Sequence, residues 1–399
     1  MRVIETEPAN TPACLPYFSE PAEPTHEVRK SQGHGHRHHQ IYSPIDREPQ
    51  THGADHVLTL KLVSAGFSFF VAGVNDGSVG ALIPYFMREY GISTTVVSTV
   101  FISNFLGWLS AAISNTHLSQ CLDLGAMLAL GAACQAAGHA LRPWGPPFAL
   151  LVFSFWLITL GQAYQDAHAN TFVVRVGSAA HHWLGFIHAM YMAGCLVAPF
   201  VATAVASSVG VGDRWHLFYV CPLGLGLANL VLVLVAFRDS VRLICTPKAS
   251  SQDALPPDQG NTAATPSRHA AAANLIKITL CTPAMWLLSL FFFFFLGAAI
   301  TAGGWLVEYL VVVRGGELAQ MGYVPAGFNG GCLLGRLLLP EPTKRFGERR
   351  MIFLYAVLCV ALQLLFWLVP NIIAASIAVS FLGFFSGPFF ATSNPRILV

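Results

Sequence analysis

Charge is what this sequence has least of. Only 11% of its 399 residues are charged, against roughly 25% in a soluble domain. A chain so poor in charge cannot wet its own surface, which excludes a soluble enzyme or a disordered protein. The charges that exist nearly cancel, with 22 basic and 20 acidic residues for a net charge of +2. That balance excludes a surface built for nucleic acid. Ligand-type cysteine spacing is also missing: Cys14, Cys121, Cys134, Cys195, Cys221, Cys245, Cys281, Cys332 and Cys359 form no CxxC pair. They read as small apolar fillers, so no metal and no cofactor is expected. No GxGD, GxSxG or HExxH string occurs, so an intramembrane hydrolase is not expected. The first long apolar run begins only near Leu60, so that run, not a cleavable signal peptide, is expected to direct insertion.

Apolar residues make up 54% of the chain, its mean hydropathy is +0.56, and they come in long runs. Runs near 60–85, 94–114, 123–142, 147–173, 183–208, 215–237, 284–312, 319–340, 351–369 and 371–393 are long enough as helices to cross about 30 Å of hydrocarbon. The expected class is an all-α integral membrane protein with ten spans. Residues 1–57, rich in Pro, Glu, His and Ser, read as a disordered tail. Within that tail Gly33-His34-Gly35-His36-Arg37-His38-His39 is read as solvated, with loose metal contact as the lesser reading. Residues 58–237 are expected to form a six-helix bundle, 238–282 a linker, and 283–399 a four-helix bundle. With the tail cytoplasmic, the inner loops carry ten cations: Arg175, Arg238, Arg242, Lys248, Arg268, Lys277, Lys344, Arg345, Arg349 and Arg350. The outer side carries Arg88, Arg142, Arg214 and Arg314. The bias predicts cytoplasmic N- and C-termini.

A shift of 224 residues lays the first span on the seventh: Phe69 on Phe293, Gly73 on Gly297, Gly80 on Gly304, Tyr85 on Tyr309. It also lays Gly107 on Gly331, each opening a small-xxx-small step. Two related halves around a shared cavity follow as the expectation.

A charge at mid-membrane costs at least about 2.5–3.5 kcal/mol, so each intramembrane ionisable group is a candidate functional residue. Asp76 stands in the first span beside Asn75, among Gly73, Gly77 and Gly80. In the fourth span Gln162, Asp166 and Asn170 share one helix face at steps of four, with Gln165 beside them and His168 off that face. Amides around a carboxyl suit a hydroxyl-rich solute; a polar seam that glues helices is the rival reading. In the fifth span His188, Tyr191 and Cys195 share a face. Asp166 and His188 are equally far from the turn at Gly177, so an antiparallel hairpin puts them at one depth. A proton relay between them and an ordinary structural hydrogen bond are both open. Glu308 and Arg336 lie at opposite depths, which excludes their pairing, and Asn329 shares a face with Arg336.

Five strings carry a family resemblance. They are the run Phe69 to Tyr85, Gln165-Asp166-Ala167-His168-Ala169-Asn170, His188-Ala189-Met190-Tyr191-Met192-Ala193-Gly194, Gly303-Gly304-Trp305, and Gly335-Arg336 followed by Thr343 to Arg350. In that order they resemble the major facilitator superfamily, in particular the fungal members of its fucose-permease-like branch. The resemblance implies a two-bundle helical fold with ten of the usual twelve transmembrane helices, a C-terminally shortened chain, and alternating access. It implies a secondary active transporter of a small polar solute such as a sugar, coupled to protons. The expected partners are that solute, a proton and lipid, for a monomer in the plasma or vacuolar membrane. Asp76 and Asp166 would be the proton or substrate acids, with Asn75, Gln162, Gln165, Asn170, His188 and Tyr191 lining the site. Gly335, Arg336, Lys344, Arg345, Arg349 and Arg350 would form the gating loop. The loop His117 to Gly125 departs from the family pattern, its acid displaced to Asp123, and Ala299 stands where fungal relatives carry an acid. The rival expectation is a non-transporting solute sensor or a defective paralogue.

Overall fold

In lipid a backbone must satisfy its own hydrogen bonds, and a helix does so within one segment. The computed structural model of the chain describes residues 52–176, 180–208, 214–241 and 281–390. The histidine tract, the turn at Gly177, the linker cations Arg242, Lys248, Arg268 and Lys277, and residues 391–399 lie outside the described residues. The long helices are α1 (His52–Tyr90), α2 (Thr99–Cys121), α3 (Leu124–Ala140), α4 (Phe148–Val174) and α5 (Ala180–Ala206). They continue with α6 (Val220–Ala236), α7 (Pro283–Val312), α8 (Val324–Leu338), α9 (Glu348–Leu368) and α10 (Ile372–Ser386).

The expected spans meet these helices one for one, but eight of the helices are long and apolar enough to cross a membrane. α3 has 17 residues and α8 has 15. The expected run 319–340 is divided for a chemical reason. Pro325 and Pro340 each open a helix, so it becomes Leu318–Met321, α8 and the start of Pro340–Phe346. The expected tail also ends early, because α1 begins at His52.

Lipid tails are as apolar as leucine, so helices associate here through close packing of small residues. α1 lies most extensively on α5, where a Cβ on Gly73 would strike the Tyr191 carbonyl and one on Gly77 the Cys195 backbone. α3 packs on α4 and α6, and α2 on α4 at Gly107. α8 packs on α10 at Gly331 and Gly335, and α9 on α10. Gly107 joins the second helix to the fourth, and its shifted counterpart Gly331 joins the eighth to the tenth. The 224-residue repeat therefore has a counterpart in the packing.

The group α1–α6 meets the group α7–α10 mainly through α5 on α8 and α1 on α7. Gly80 takes the Gly303 backbone, Phe101 meets Trp305 with ring centroids 5.9 Å apart, and Phe200 meets Tyr323 at 5.9 Å. These contacts sit towards the end of the bundle where α1 finishes. At the other end, α7 residues such as Trp286, Leu290, Phe293 and Phe294 are exposed.

That other end carries exposed Arg175, Lys344, Arg345, Arg349 and Arg350. Gly347 turns the chain there with φ 95, a conformation that favours glycine. One expected placement is corrected: Arg142, read as a loop cation, is fully buried. Arg336 lies near the inner end of the eighth span, as expected, inside α8 and partly buried, while Gly335 is packed on Phe384 of α10.

At the same end Lys61 Nζ donates to Asp239 Oδ2 at 2.6 Å, and this bond holds the Asp239 carboxyl below the usual carboxylate range. A depressed folded pKa stabilises above the unfolded value, and that contribution is lost as pH falls through the folded one. The Asp239 side chain is 61% exposed, so its share is small. Thermal melts in detergent are expected to show Asp239→Asn nearly neutral at pH 7, with the remaining difference vanishing as the pH is lowered through the carboxylate range.

Candidate functional site

α1 carries Asp76 into the middle of the bundle because Gly73, Gly77 and Gly80 let α5 and α7 approach its backbone. An ionised carboxylate is an acceptor only, through both oxygens. The site meets that demand with three donors from three helices. Asn75 Nδ2 donates to Asp76 Oδ1 at 3.0 Å, and Gln162 Nε2 donates to the same oxygen at 3.1 Å. Tyr191 Oη–H donates to Asp76 Oδ2 at 2.9 Å. Gln162 also reaches the Ala72 carbonyl at 3.2 Å, which fixes α4 against α1 at this depth.

Behind Asn75 stands a cation that sequence reasoning missed. Arg142 Nη1 donates to Asn75 Oδ1 at 3.1 Å, and its Nε donates to Ser154 Oγ at 2.7 Å. The guanidinium carbon lies 3.8 Å from the Phe155 ring centre and 4.7 Å from that of Tyr219. A guanidinium over aromatic faces loses less on leaving water than an ammonium would. The result is one chain: guanidinium, amide, carboxylate, phenol. Arg142 was misplaced because it follows the last apolar residues of the third span and precedes Pro143 and Trp144, which read as a loop. Its position three residues after His139, itself fully buried, was the available signal.

Of the expected site residues, Asn75, Asp76, Gln162 and Tyr191 are brought together. Gln165 is held elsewhere, in a buried seam between helices. Its Oε1 accepts from Gln135 Nε2 at 2.7 Å and from Asn229 Nδ2 at 3.2 Å, and Ser68 Oγ donates to Asn229 Oδ1 at 2.8 Å. Asp166 lies one turn below Gln162 and is only partly buried. It accepts from Asn170 Nδ2 at 3.3 Å. His168, off that face, bonds Asn115 of α2 at 2.9 Å.

Among the described residues no hydrogen bond joins Asp166 to His188. α5 packs on α1 far more than on α4, and the His188 ring takes an edge contact with Phe69, centroids 5.3 Å apart. The direct relay expected from the hairpin is therefore not formed. Asn329 Nδ2 donates to the Cys195 carbonyl at 2.9 Å and ties α8 to α5. Cys195, Cys332, Met192, Leu306 and Phe328 form the apolar contact around that bond. Chemically, the Asp76 cluster can hold or exchange a proton and accept from a solute's hydroxyls, while Asp166 and His188 are each partly exposed.

A family model described as Major Facilitator Superfamily matches residues 65–397. The chain is 28% identical over 358 residues to Bypass of stop codon protein 6 of Saccharomyces cerevisiae (strain ATCC 204508 / S288c), covering 85% of this chain and 70% of that protein. Its fold is similar to a D-xylose-proton symporter (TM-score 0.57, 13% identity, 86% of this chain and 81% of the other). It is also similar to a bacterial homologue of the human lysosomal transporter Spinster in an inward-facing, unoccupied conformation (TM-score 0.56, 14% identity, 84% and 74%). Those two identities speak for the fold alone. With the family matched over most of the chain, on a multi-pass helical membrane protein, this chain belongs to the Major Facilitator Superfamily.

Proposed function

We propose that the protein is a secondary active transporter of a small polar solute, driven by protons through alternating access, within the fucose-permease-like branch of the family. One observation carries the reading: an aspartate inside the bundle, within an apolar helix, whose two oxygens take donors from α1, α4 and α5. Lipid does not tolerate an isolated acid, so a carboxylate built into the bundle interior is a functional residue. Contacts between the two groups of helices, such as Gly80 on the Gly303 backbone and Phe101 on Trp305, gather towards the end where α1 finishes, which suits a rocking motion. Under the positive-inside rule the basic end faces the cytoplasm, with both termini there.

In this reading the proton passes between Asp76 and Asp166, and the solute's hydroxyls meet Gln162, Asn170 and Tyr191. In proteoliposomes with an internal pH dye and a panel of labelled sugars and polyols, Asp166→Asn is expected to insert normally and to lose proton-coupled uptake. Uptake unchanged at every pH removes Asp166 from the mechanism. Solute binding without any flux identifies a sensor instead.

A further inference from the structure

We infer that the lipid-facing side of the bundle between α1 and α6 holds a membrane sterol, its rings in an apolar groove and its single hydroxyl on the Lys61–Asp239 pair. The groove lies outside the Asp76 cluster, so the inference does not depend on what the chain carries.

The groove has a volume of about 570 Å³ and is lined by Phe67 of α1 with Leu227, Ala228, Val231, Leu232 and Val235 of α6. Every one of those side chains is apolar. From Leu227 to Val235 the groove follows α6 for about 12 Å, at 1.5 Å per residue. Its walls are stiff. Phe67 stacks on Phe70, with centroids 6.2 Å apart and ring planes 19° from parallel, and the β-branched Val231 and Val235 have few rotamers. A rigid ring body loses little freedom on settling against such a wall, whereas an acyl chain would give up many rotamers.

Two rulers place a polar head at one end of the groove. Ala228, Leu232, Val235 and Asp239 follow at steps of four, three and four, one helical face carried from α6 into the short 3₁₀ turn Arg238–Ser240. On α1, Lys61 comes before Phe67 and lies about 9 Å nearer the basic end. There Lys61 Nζ donates to Asp239 Oδ2 at 2.6 Å. A carboxylate accepts several bonds through its two oxygens, and the Asp239 side chain is 61% exposed, so it has room for a further donor. The pair is neutral as a whole and presents a carboxylate, so it takes a hydroxyl and repels a phosphate or a fatty acid's own carboxylate. The exposed Arg238 belongs to the neighbouring face, off the stripe. A flat apolar body with one hydroxyl and no charge is the chemistry of a sterol.

The test is photolabelling of the full chain in phosphatidylcholine nanodiscs with a diazirine-bearing sterol, mapped by peptide mass spectrometry. Label is expected to concentrate on the peptides that carry Phe67 and Val231, and unlabelled cholesterol is expected to displace it. Cholestenone, the same body with a ketone in place of the hydroxyl, donates nothing and is expected to compete about tenfold less well, the loss of one hydrogen bond to a charged acceptor. Val231→Trp, which fills the groove from its lipid side, is expected to cut labelling about tenfold, and Ala228→Phe serves if that protein does not fold. Leu234→Trp, on the same helix and also exposed but outside the groove, is expected to label as the wild type does. Label spread evenly over the helices, or unmoved by the groove-filling change, overturns the site. Phosphatidylglycerol or oleate displacing the label as well as cholesterol does would put a charged or acyl lipid in the groove and overturn the sterol.

Discussion

Replacing Arg142 by glutamine is expected to destabilise the bundle by about 3–5 kcal/mol, the range for removing one partner of a buried charge arrangement, and to abolish proton-coupled uptake. Arg142 is fully buried, and a lone cation there could not persist. It persists because Asn75 relays it to Asp76: the amide oxygen accepts from the guanidinium at 3.1 Å while the amide nitrogen donates to the carboxylate at 3.0 Å. Each bond polarises the next in the same sense. Removing the cation leaves Asn75 Oδ1 without the charge that polarises it towards Asp76 and leaves Ser154 Oγ without its 2.7 Å partner. A double-mutant cycle checks the relay. If Arg142 acts on Asp76 through Asn75, the Asp76→Asn, Arg142→Gln pair melts closer to the wild type than the sum of the single changes, with a coupling of at least about 1 kcal/mol. Strict additivity would mean that Arg142 serves only the rings of Phe155 and Tyr219.

The membrane class, the helix order and the Asp76 cluster were legible in the sequence because their causes are local. A run of apolar residues forces a helix in lipid, and an acid inside such a run needs partners whatever the tertiary arrangement. Gln162 and Tyr191 were found through helical spacing alone. What failed depended on which helix packs on which. Gln165 lies one helical step from the Gln162 face, and no spacing rule says that α3 and α6 supply Gln135 and Asn229 to claim it. The Asp166–His188 bond was expected from the hairpin, a chain-neighbour argument, whereas the glycines of α1 give α5 its main partner. Arg142 was hidden by its neighbours: an arginine before Pro143 reads as a loop, and only Asn75 and Ser154, from two other helices, turn it inwards.

The glycine contrast gives the last test, and the repeat supplies its own control. Gly73 and Gly297 are counterparts under the 224-residue shift, both are helical, and either change to valine adds the same β-branched side chain. Their surroundings differ. A Cβ at Gly73 would collide with the Tyr191 carbonyl, while one at Gly297 meets nothing within 4 Å. Gly194 on α5 is equally intolerant, since its Cβ would strike the Phe70 carbonyl, so neither helix can yield by rotating. Gly73→Val is therefore expected to part α1 from α5 and to withdraw Tyr191 from its 2.9 Å bond to Asp76. Overpacking of this kind costs about 1–3 kcal/mol, and the lost donor to a charged acceptor adds about 1.5–3 kcal/mol. Gly297→Val is expected to melt and transport as the wild type does. Melting in detergent beside uptake in proteoliposomes reads both at once. A Gly73→Val protein as stable and active as Gly297→Val would show that the α1–α5 crossing does not position Tyr191, and the three-donor site around Asp76 would lose its structural basis.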